Sequence, residues 1–402
     1  PDTIFRPVRR TYMRMRFATM SVLSAACVVM HVSGAMGAGP TTAPAFTDVS
    51  RPFWDTATMT GESVLFIKPA DGGQATASLL FEPTAIRSVT SSDGKTIYKE
   101  GQDYLLVTGS RQLTLPAGSA IPARTTEELT PPLGSQPFGL VRRDGKGDIL
   151  FAAGHEYADM QTLVTYTYKL DAASWDVPPP RFAERELPRT IAILRQGAPL
   201  KLVLFGDSIS TGCNASKWAN TPPFQPAYGE LLAANLGRAY RSEISFTNHS
   251  EGGRTSAWGL EHIGPVAAEK PDLVILAWGM NDSTGEGETC SAETFIANLK
   301  GQMAAVRAAR PNAEFILVAS MLPNKDWRLA NPDRVLQYRD AMRKMVGPGI
   351  ALADLSSVWE AMLTRKPHLD LTGNGVNHPN DFGHRLYAEV IFSLLAQQRP
   401  AR

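Results

Sequence analysis

The sequence predicts an α/β fold with a parallel sheet, preceded by a smaller antiparallel β-sandwich domain. Three observations lead to this prediction. From about residue 200 onward, short apolar runs alternate with amphipathic stretches. Residues 46–176 instead contain short strands and turns without a helical period. The chain of 402 residues is also longer than one hydrophobic core usually serves. We therefore expect an accessory domain at 46–176, a linker at 177–199 and a second domain at 200–398.

The composition excludes several classes of protein. The chain has 40 Lys and Arg against 39 Asp and Glu, and 43% of its residues are hydrophobic, which is typical of a folded globular protein. A nucleic-acid-binding domain usually has a basic excess, so we expect no nucleic-acid partner. Clustered Cys and His ligands are absent from the sequence, as is a glycine-rich phosphate loop. The sequence thus predicts no metal and no cofactor.

The first 38 residues are typical of a secretory signal peptide. Five arginines between positions 6 and 16 precede an uncharged stretch at 17–32, and small residues follow at 33–38. The apolar stretch is short for a membrane span. We therefore expect a secreted or periplasmic protein without stable membrane insertion after signal removal. In an oxidising compartment Cys213 and Cys290 could pair or remain separate thiols, and their loops at one sheet edge slightly favour the disulfide.

The strands of the accessory domain are indicated by composition and alternation. Residues 162–168 alternate between β-branched and aromatic residues with period two, and 63–67 and 78–81 are short apolar runs. Asp-Gly pairs at 71–72, 93–94 and 144–145 supply hairpin-turn chemistry. Short strands joined by such turns predict the antiparallel sandwich.

The second domain alternates strand and helix. The predicted strands are 202–205, 273–278 and 315–319, with 243–247 and 350–355 as further candidates. The predicted helices are 227–236, 292–309, 332–345 and 382–397. This alternation predicts a parallel sheet with right-handed crossovers and helices on both faces. Ligands bind outside the carboxyl ends of the strands in such sheets.

Polar residues lie where these strands end. Ser208 follows the first strand within Gly-Asp-Ser, and Gly253 lies in the loop after the second. Asn281 follows the third strand within Gly-Met-Asn-Asp, and His378 precedes the last helix. A serine, a histidine and neutral donors are the groups that acyl transfer needs. Ser208 would attack a carbonyl carbon, and His378 would accept its proton and return it to the leaving alcohol.

These four blocks, in this order, resemble the SGNH or GDSL hydrolase family over roughly residues 200–397. The resemblance implies a flavodoxin-like α/β/α sandwich and ester hydrolysis. It also implies that Ser208 is the nucleophile and His378 the base. The oxyanion hole would comprise the backbone N–H groups of Ser208 and Gly253 and the side chain of Asn281, with Gly252 as the neighbouring alternative to Gly253.

One position departs from the family pattern. The family usually places an aspartate three residues before the histidine, where this chain has Gly375. A histidine without an anionic partner is less well oriented and less able to hold positive charge. Three partners remain open. A backbone carbonyl near Gly375 and the carboxylate of Asp370 are favoured equally, and Asp381 ranks below them because it begins the last helix.

The predicted export and the accessory domain favour an acetylesterase that acts on an acylated carbohydrate. Trp218 and Trp258 follow the first two blocks and could be sugar platforms or crevice walls. The alternatives are a general short-chain or lipid esterase, a sugar O-acetyltransferase and a non-catalytic carbohydrate-binding protein. The polar loops after Ser208 and Asn281 argue against a lipid substrate.

Overall fold

The structure is a computed structural model that describes residues 46–136, 140–170, 175 and 177–397. The predicted signal peptide at 1–38 lies outside these residues and stays a prediction. None of the helices within the described ranges combines the length and the apolar character that crossing a bilayer requires.

The N-terminal region forms two sheets. Its described strands are β1 (Thr58–Val64), β2 (Phe66–Lys68), β3 (Thr76–Ser78), β4 (Pro83–Ser91), β5 (Ile97–Tyr98), β6 (Leu105–Leu106), β7 (Gln112–Thr114), β8 (Ala123–Thr125) and β9 (Thr162–Tyr168). The first sheet is antiparallel, in the order β1-β9-β4-β5. The second has the order β6-β7-β3-β2-β8, and its β2–β8 pair is parallel. A short helix, α1 (Thr126–Leu129), follows β8.

The alternation in β9 is confirmed, because Val164, Tyr166 and Tyr168 are buried while the threonines between them are partly exposed. Side chains from both sheets, including Val164 and Phe66, share one hydrophobic cluster. The run at 63–67 is divided between β1 and β2 rather than forming one strand. Strand β4 was not predicted, because its burial does not alternate and its pairing with β9 is interrupted by register shifts.

The second region alternates strand and helix as predicted. Its helices are α2 (Pro188–Arg195), α3 (Ser208–Thr211), α4 (Tyr228–Tyr240), α5 (Ser256–Glu261), α6 (Gly264–Ala268), α7 (Met280–Ser283), α8 (Ala292–Ala309), α9 (Pro332–Arg343), α10 (Leu355–Leu363) and α11 (Asp381–Leu395). Its strands are β10 (Leu200–Gly206), β11 (Ile244–Asn248), β12 (Leu273–Ala277), β13 (Glu314–Ala319) and β14 (Ile350–Asp354). The domain boundaries stay a prediction, and α2 lies within the segment predicted as a linker.

The five strands form a parallel sheet in the order β11-β10-β12-β13-β14, which confirms the flavodoxin-like fold. Both faces of the sheet are covered. In β12, Leu273 and Ile275 belong to the same hydrophobic cluster as residues of α4 and α11. Val274 and Leu276 belong to a second cluster with residues of α8. Helices therefore cover the sheet on both sides, which explains why β12 is apolar throughout.

The two regions are joined by polar contacts along α11. The side chain of Arg385 donates hydrogen bonds to the carbonyls of Thr60 and Gly61 in β1. The Nδ2 atom of Asn380, the N-cap of α11, donates to Ser63 Oγ at 3.0 Å. Because His378 lies just before this helix, the N-terminal region is close to the end of the sheet where the predicted site residues lie.

Candidate active site

The loops after β10, β11 and β12 meet at the carboxyl end of the parallel sheet. The N–H of Glu251 donates to the carbonyl of Gly206 at 3.0 Å, and the N–H of Asp207 donates to Ala277 at 3.3 Å. A Cβ atom at Gly206 would overlap the Ala277 carbonyl oxygen, so only glycine permits this approach. The strand order reverses at β10, which makes this edge the topological switch point where such sheets bind ligands.

Ser208 begins helix α3 directly after β10. Asp207 is the N-cap of that helix, and its Oδ1 accepts a hydrogen bond from the N–H of Ile209 at 3.0 Å. Burial raises the pKa of the Asp207 carboxyl to about 7. The short helix ends at Gly212, whose φ of 94° lies in the left-handed region.

The imidazole of His378 lies beside Ser208, with 2.8 Å between Nε2 and Ser208 Oγ. The loop that carries the histidine is held by its own hydrogen bonds. Asn374 Oδ1 accepts from the N–H of His378 at 3.1 Å, and the N–H of Gly373 donates to the His378 carbonyl at 2.9 Å. Desolvation lowers the pKa of His378 to about 3. The ring is therefore neutral near pH 7.

The other ring nitrogen of His378 contacts Asn214, with 2.7 Å between Nδ1 and Asn214 Oδ1. The amide nitrogen of Asn214 faces backbone carbonyls from the N-terminal region, Gly154 at 2.6 Å and Ala152 and Ala153 at 3.4 Å. Because this nitrogen needs acceptors, the amide oxygen must face the ring. Nδ1 then carries the hydrogen, and Nε2 is free to accept one from Ser208.

The structure corrects the prediction of Asp370 as the partner of His378. Its Oδ1 accepts from the N–H of Leu65 at 2.7 Å, and its Oδ2 lies 3.1 Å from Lys366 Nζ. Lys366 also binds Glu62, and both of these side chains are fully buried. Asp370 thus belongs to a charged cluster between the two regions, because the turn at His368–Asp370 contacts β1.

The other two proposed partners of His378 are also engaged elsewhere. The carbonyl of Gly375 accepts from Asn324 Nδ2 at 2.8 Å. Asp381 Oδ1 accepts from the N–H of Ser216 at 2.8 Å. Asn214 was missed because nothing in its local sequence marks it. Its contacts come from residues that are distant along the chain on both sides.

The loops that carry Gly253 and Asn281, two of the predicted oxyanion donors, are joined by hydrogen bonds. Asn281 Nδ2 donates to the Arg254 carbonyl at 2.9 Å, which places this side chain beside the residue that follows Gly253. Asp282, next to Asn281, accepts from the N–H of Ser256 at 3.0 Å. Within the described part of the chain, the backbone N–H groups of Ser208 and Gly253 have no acceptor. These two groups are therefore available to a ligand.

Other sequence-based predictions have mixed outcomes. Cys213 and Cys290 are buried and do not form the disulfide that their positions slightly favoured. Trp258 packs near Phe205 and stacks on His262, as expected of a wall, whereas Trp218 is 38% exposed. Among the residues placed by the structure, no three His, Cys, Asp or Glu side chains are grouped as metal ligands would be.

A parallel sheet with a serine, a histidine and amide donors at one end is the arrangement of a carboxylic ester hydrolase. Residues 204–386 match the model of the GDSL-like lipase/acylhydrolase family. This match confirms, for this part of the chain, the resemblance of its motifs to the SGNH/GDSL family. No curated protein matches the chain.

Three solved structures illustrate the similarity. A two-domain esterase, CEX, active on acetylated mannans, is 20% identical with a TM-score of 0.41, and the match covers 53% of each chain. The acetylxylan esterase Axe2 from Geobacillus stearothermophilus is 16% identical with a TM-score of 0.40, over 50% of this chain and 97% of Axe2. A carbohydrate esterase family 3 protein from Talaromyces cellulolyticus is 17% identical with a TM-score of 0.37, over 48% of this chain and 94% of its own.

Proposed function

We propose that this protein is a secreted serine esterase that removes acetyl or other short acyl groups from a polysaccharide. The hydrogen-bonded chain from Ser208 through His378 to Asn214 carries the proposal. It supplies a nucleophile, a neutral base and an acceptor for the second ring nitrogen, at the family's site. The mechanism needs no cofactor.

In the first step, Ser208 Oγ attacks the ester carbonyl carbon while its proton passes to His378 Nε2. The tetrahedral intermediate carries a negative charge on the former carbonyl oxygen. The backbone N–H groups of Ser208 and Gly253 and the side chain of Asn281 would donate to that oxygen. Collapse breaks the bond to the sugar oxygen, which takes the proton from Nε2 and leaves as an alcohol.

The second step hydrolyses the acyl-enzyme. A water molecule gives a proton to His378 Nε2 and attacks the acyl carbon, and the same donors hold the second oxyanion. Collapse releases the carboxylic acid and returns the proton to Ser208 Oγ. The enzyme is then restored with His378 neutral, which agrees with the lowered pKa of the ring.

Two observations support a small acyl group on a polar substrate. Ser208 is only 6% exposed, which favours a small group at the point of attack. The loop after α3 contains Lys217 and exposes the ring of Trp218, which could pack on the apolar face of a sugar. The predicted signal peptide agrees with a substrate outside the cytoplasm.

Acetate release tests the proposal. Wild type, Ser208→Ala and Ser210→Ala are compared on p-nitrophenyl acetate and acetylated xylan. Ser210 is a matched control because its buried hydroxyl lies in the same helix but contacts Tyr228 at 2.7 Å. We expect Ser208→Ala to lose about 10⁴-fold or more in kcat, and the control to stay within a few-fold. Equal rates for wild type and Ser208→Ala would refute the proposal.

The alternatives give different results in the same assay. A lipid or general esterase would prefer longer acyl chains in a series from acetate to octanoate. An acetyltransferase would move the acyl group to an added sugar acceptor faster than to water. A non-catalytic carbohydrate-binding protein would bind xylan without releasing acetate.

A further inference from the structure

We infer that Asn214 is the positioning residue of His378, and that residues 150–154 of the N-terminal region complete the active site by holding this asparagine. The inference rests on the proposed roles of Ser208 and His378. The inference gives the N-terminal region a part in catalysis. The backbone of this region occupies the space of the family's usual carboxylate, and it also holds Asn214, which takes the place of that carboxylate.

The first argument concerns the position where the family usually has aspartate. Gly375 has a φ of 85°, which side chains rarely adopt. A Cβ atom there would overlap the carbonyl oxygen of Leu150 and lie 3.1 Å from the ring of Tyr157. The backbone of the N-terminal region therefore closes this position to any side chain.

The second argument concerns the surroundings of Asn214. Its amide must accept from His378 on one side and donate to the Gly154 carbonyl on the other, at 2.7 and 2.6 Å. An amide has both an acceptor and donors, whereas a carboxylate has acceptors alone. An aspartate in this place would set its second oxygen against three carbonyl oxygens. The site is thus built for a neutral amide.

The third argument concerns how firmly the asparagine is held. Asn214 is 2% exposed, and its φ of 67° lies in the left-handed region, which asparagine tolerates better than most residues. The N–H of Ala152 also donates to the Asn374 carbonyl at 3.4 Å. The segment that supports Asn214 is therefore bonded to the loop of His378 as well.

The arrangement determines what the third residue can contribute. Nδ1–H of His378 donates to Asn214 Oδ1 both before and after Nε2 receives the serine proton. The amide keeps the ring in the tautomer that leaves Nε2 as the acceptor. It adds no negative charge, so the imidazolium is stabilised by a dipole alone.

The main test compares Asn214→Ala with Asn220→Ala. Asn220 lies in the same loop, also has a left-handed backbone (φ 53°) and is exposed, so it controls for the cost of changing an asparagine in that conformation. We expect Asn214→Ala to lower kcat by about 10²–10⁴-fold with KM within a few-fold, because the ring is free to take the wrong tautomer. Asn220→Ala should keep wild-type kcat. Equal kcat values for both folded variants would overturn the inference.

A second measurement does not depend on activity. In protein labelled with ¹⁵N-histidine, the His378 signals are identified by their loss in His378→Gln. We expect the wild-type ring to be neutral with hydrogen on Nδ1, and Asn214→Ala to show a mixture of tautomers or the Nε2–H form. An unchanged Nδ1–H signal in Asn214→Ala would contradict the positioning role. If Ser208→Ala instead matches wild type in hydrolysis, the proposed function fails while this measurement still stands.

The role of residues 150–154 is tested by placing the family's usual aspartate at position 375. The variant Asn214→Ala with Gly375→Asp should stay as inactive as Asn214→Ala, because the Leu150 carbonyl excludes the new side chain. Circular dichroism shows whether the double variant is folded. Recovery of tenfold or more in kcat would show that the space is open, and would overturn this part of the inference.

Discussion

The two ring nitrogens of His378 are held by different parts of the molecule. Nε2 faces Ser208, which lies after β10 in the parallel-sheet region. Nδ1 faces Asn214, whose amide is bound by carbonyls of residues 152–154 in the N-terminal region. One side follows the family pattern and the other departs from it. An accessory region can thus supply one contact of the histidine while the contact on the other side keeps the family pattern.

Replacing Lys366 removes a buried charged contact between the two regions. Lys366 is fully buried between Asp370, from its own region, and Glu62, from β1. Lys366→Met should lower the free energy of unfolding by about 3–5 kcal/mol, because two buried carboxylates lose their cation. Lys95→Met is the control, since this lysine is exposed and should change stability by less than about 0.5 kcal/mol. Urea unfolding measures both, and similar midpoints would contradict the prediction.

The next prediction concerns Asn281, which lies in the parallel-sheet region. Asn281→Ala removes a side-chain donor from the proposed oxyanion hole and should lower kcat by about 10²–10³-fold without unfolding the protein. Asn312→Ala is a suitable control, because Asn312 is exposed in the turn before β13. The kcat for hydrolysis of p-nitrophenyl acetate is compared between the two folded variants and wild type. A loss smaller than about fivefold would remove Asn281 from the proposed hole.

The pH dependence of hydrolysis reports on the Nδ1 side of His378. The proposed mechanism needs neutral His378, and desolvation lowers its pKa to about 3 with no carboxylate at Nδ1 to oppose that shift. Protonation therefore removes activity only well below pH 5, and kcat/KM should change less than twofold between pH 7 and 5. A base with the ordinary pKa of 6.5 would retain roughly 3% at pH 5. A pH–rate profile with its midpoint near 6.5 would contradict the expectation, and circular dichroism at each pH serves as the control.

The sequence predicts the parallel-sheet region well, because its signals are local. Each strand is a short apolar run, and Ser208 and Asn281 follow such runs directly. The N-terminal region is predicted less completely. Strand β4 was missed because its bulged pairing with β9 hides the alternation on which the prediction depends. The predicted helix at 292–309 has the same bounds as α8, because its N-cap, Ser291, and its apolar face are both visible in the sequence.

The partner of His378 could not be predicted, for a physical reason. The candidates were chosen because they are near the histidine in sequence or carry a negative charge. Asp370 satisfies both conditions, but its carboxylate pairs with Lys366 and accepts a hydrogen bond from the N–H of Leu65. Asn214 satisfies neither, and its role depends on three backbone carbonyls that only the folded N-terminal region brings to it. Backbone carbonyls have no signature in a sequence.

The left-handed backbone of Asn214 has a consequence for how this site can vary. Its φ of 67° and its burial favour a small residue, and its two-sided contacts require both an acceptor and a donor in one short side chain. Glycine offers neither group, aspartate lacks the donors, and glutamine is longer. Few single substitutions would therefore replace the His378–Asn214 contact by the family's usual histidine–aspartate pair. A carboxylate at Gly375 is blocked until the N-terminal segment moves. Restoring a carboxylate at Gly375 would therefore also require a change in the N-terminal segment.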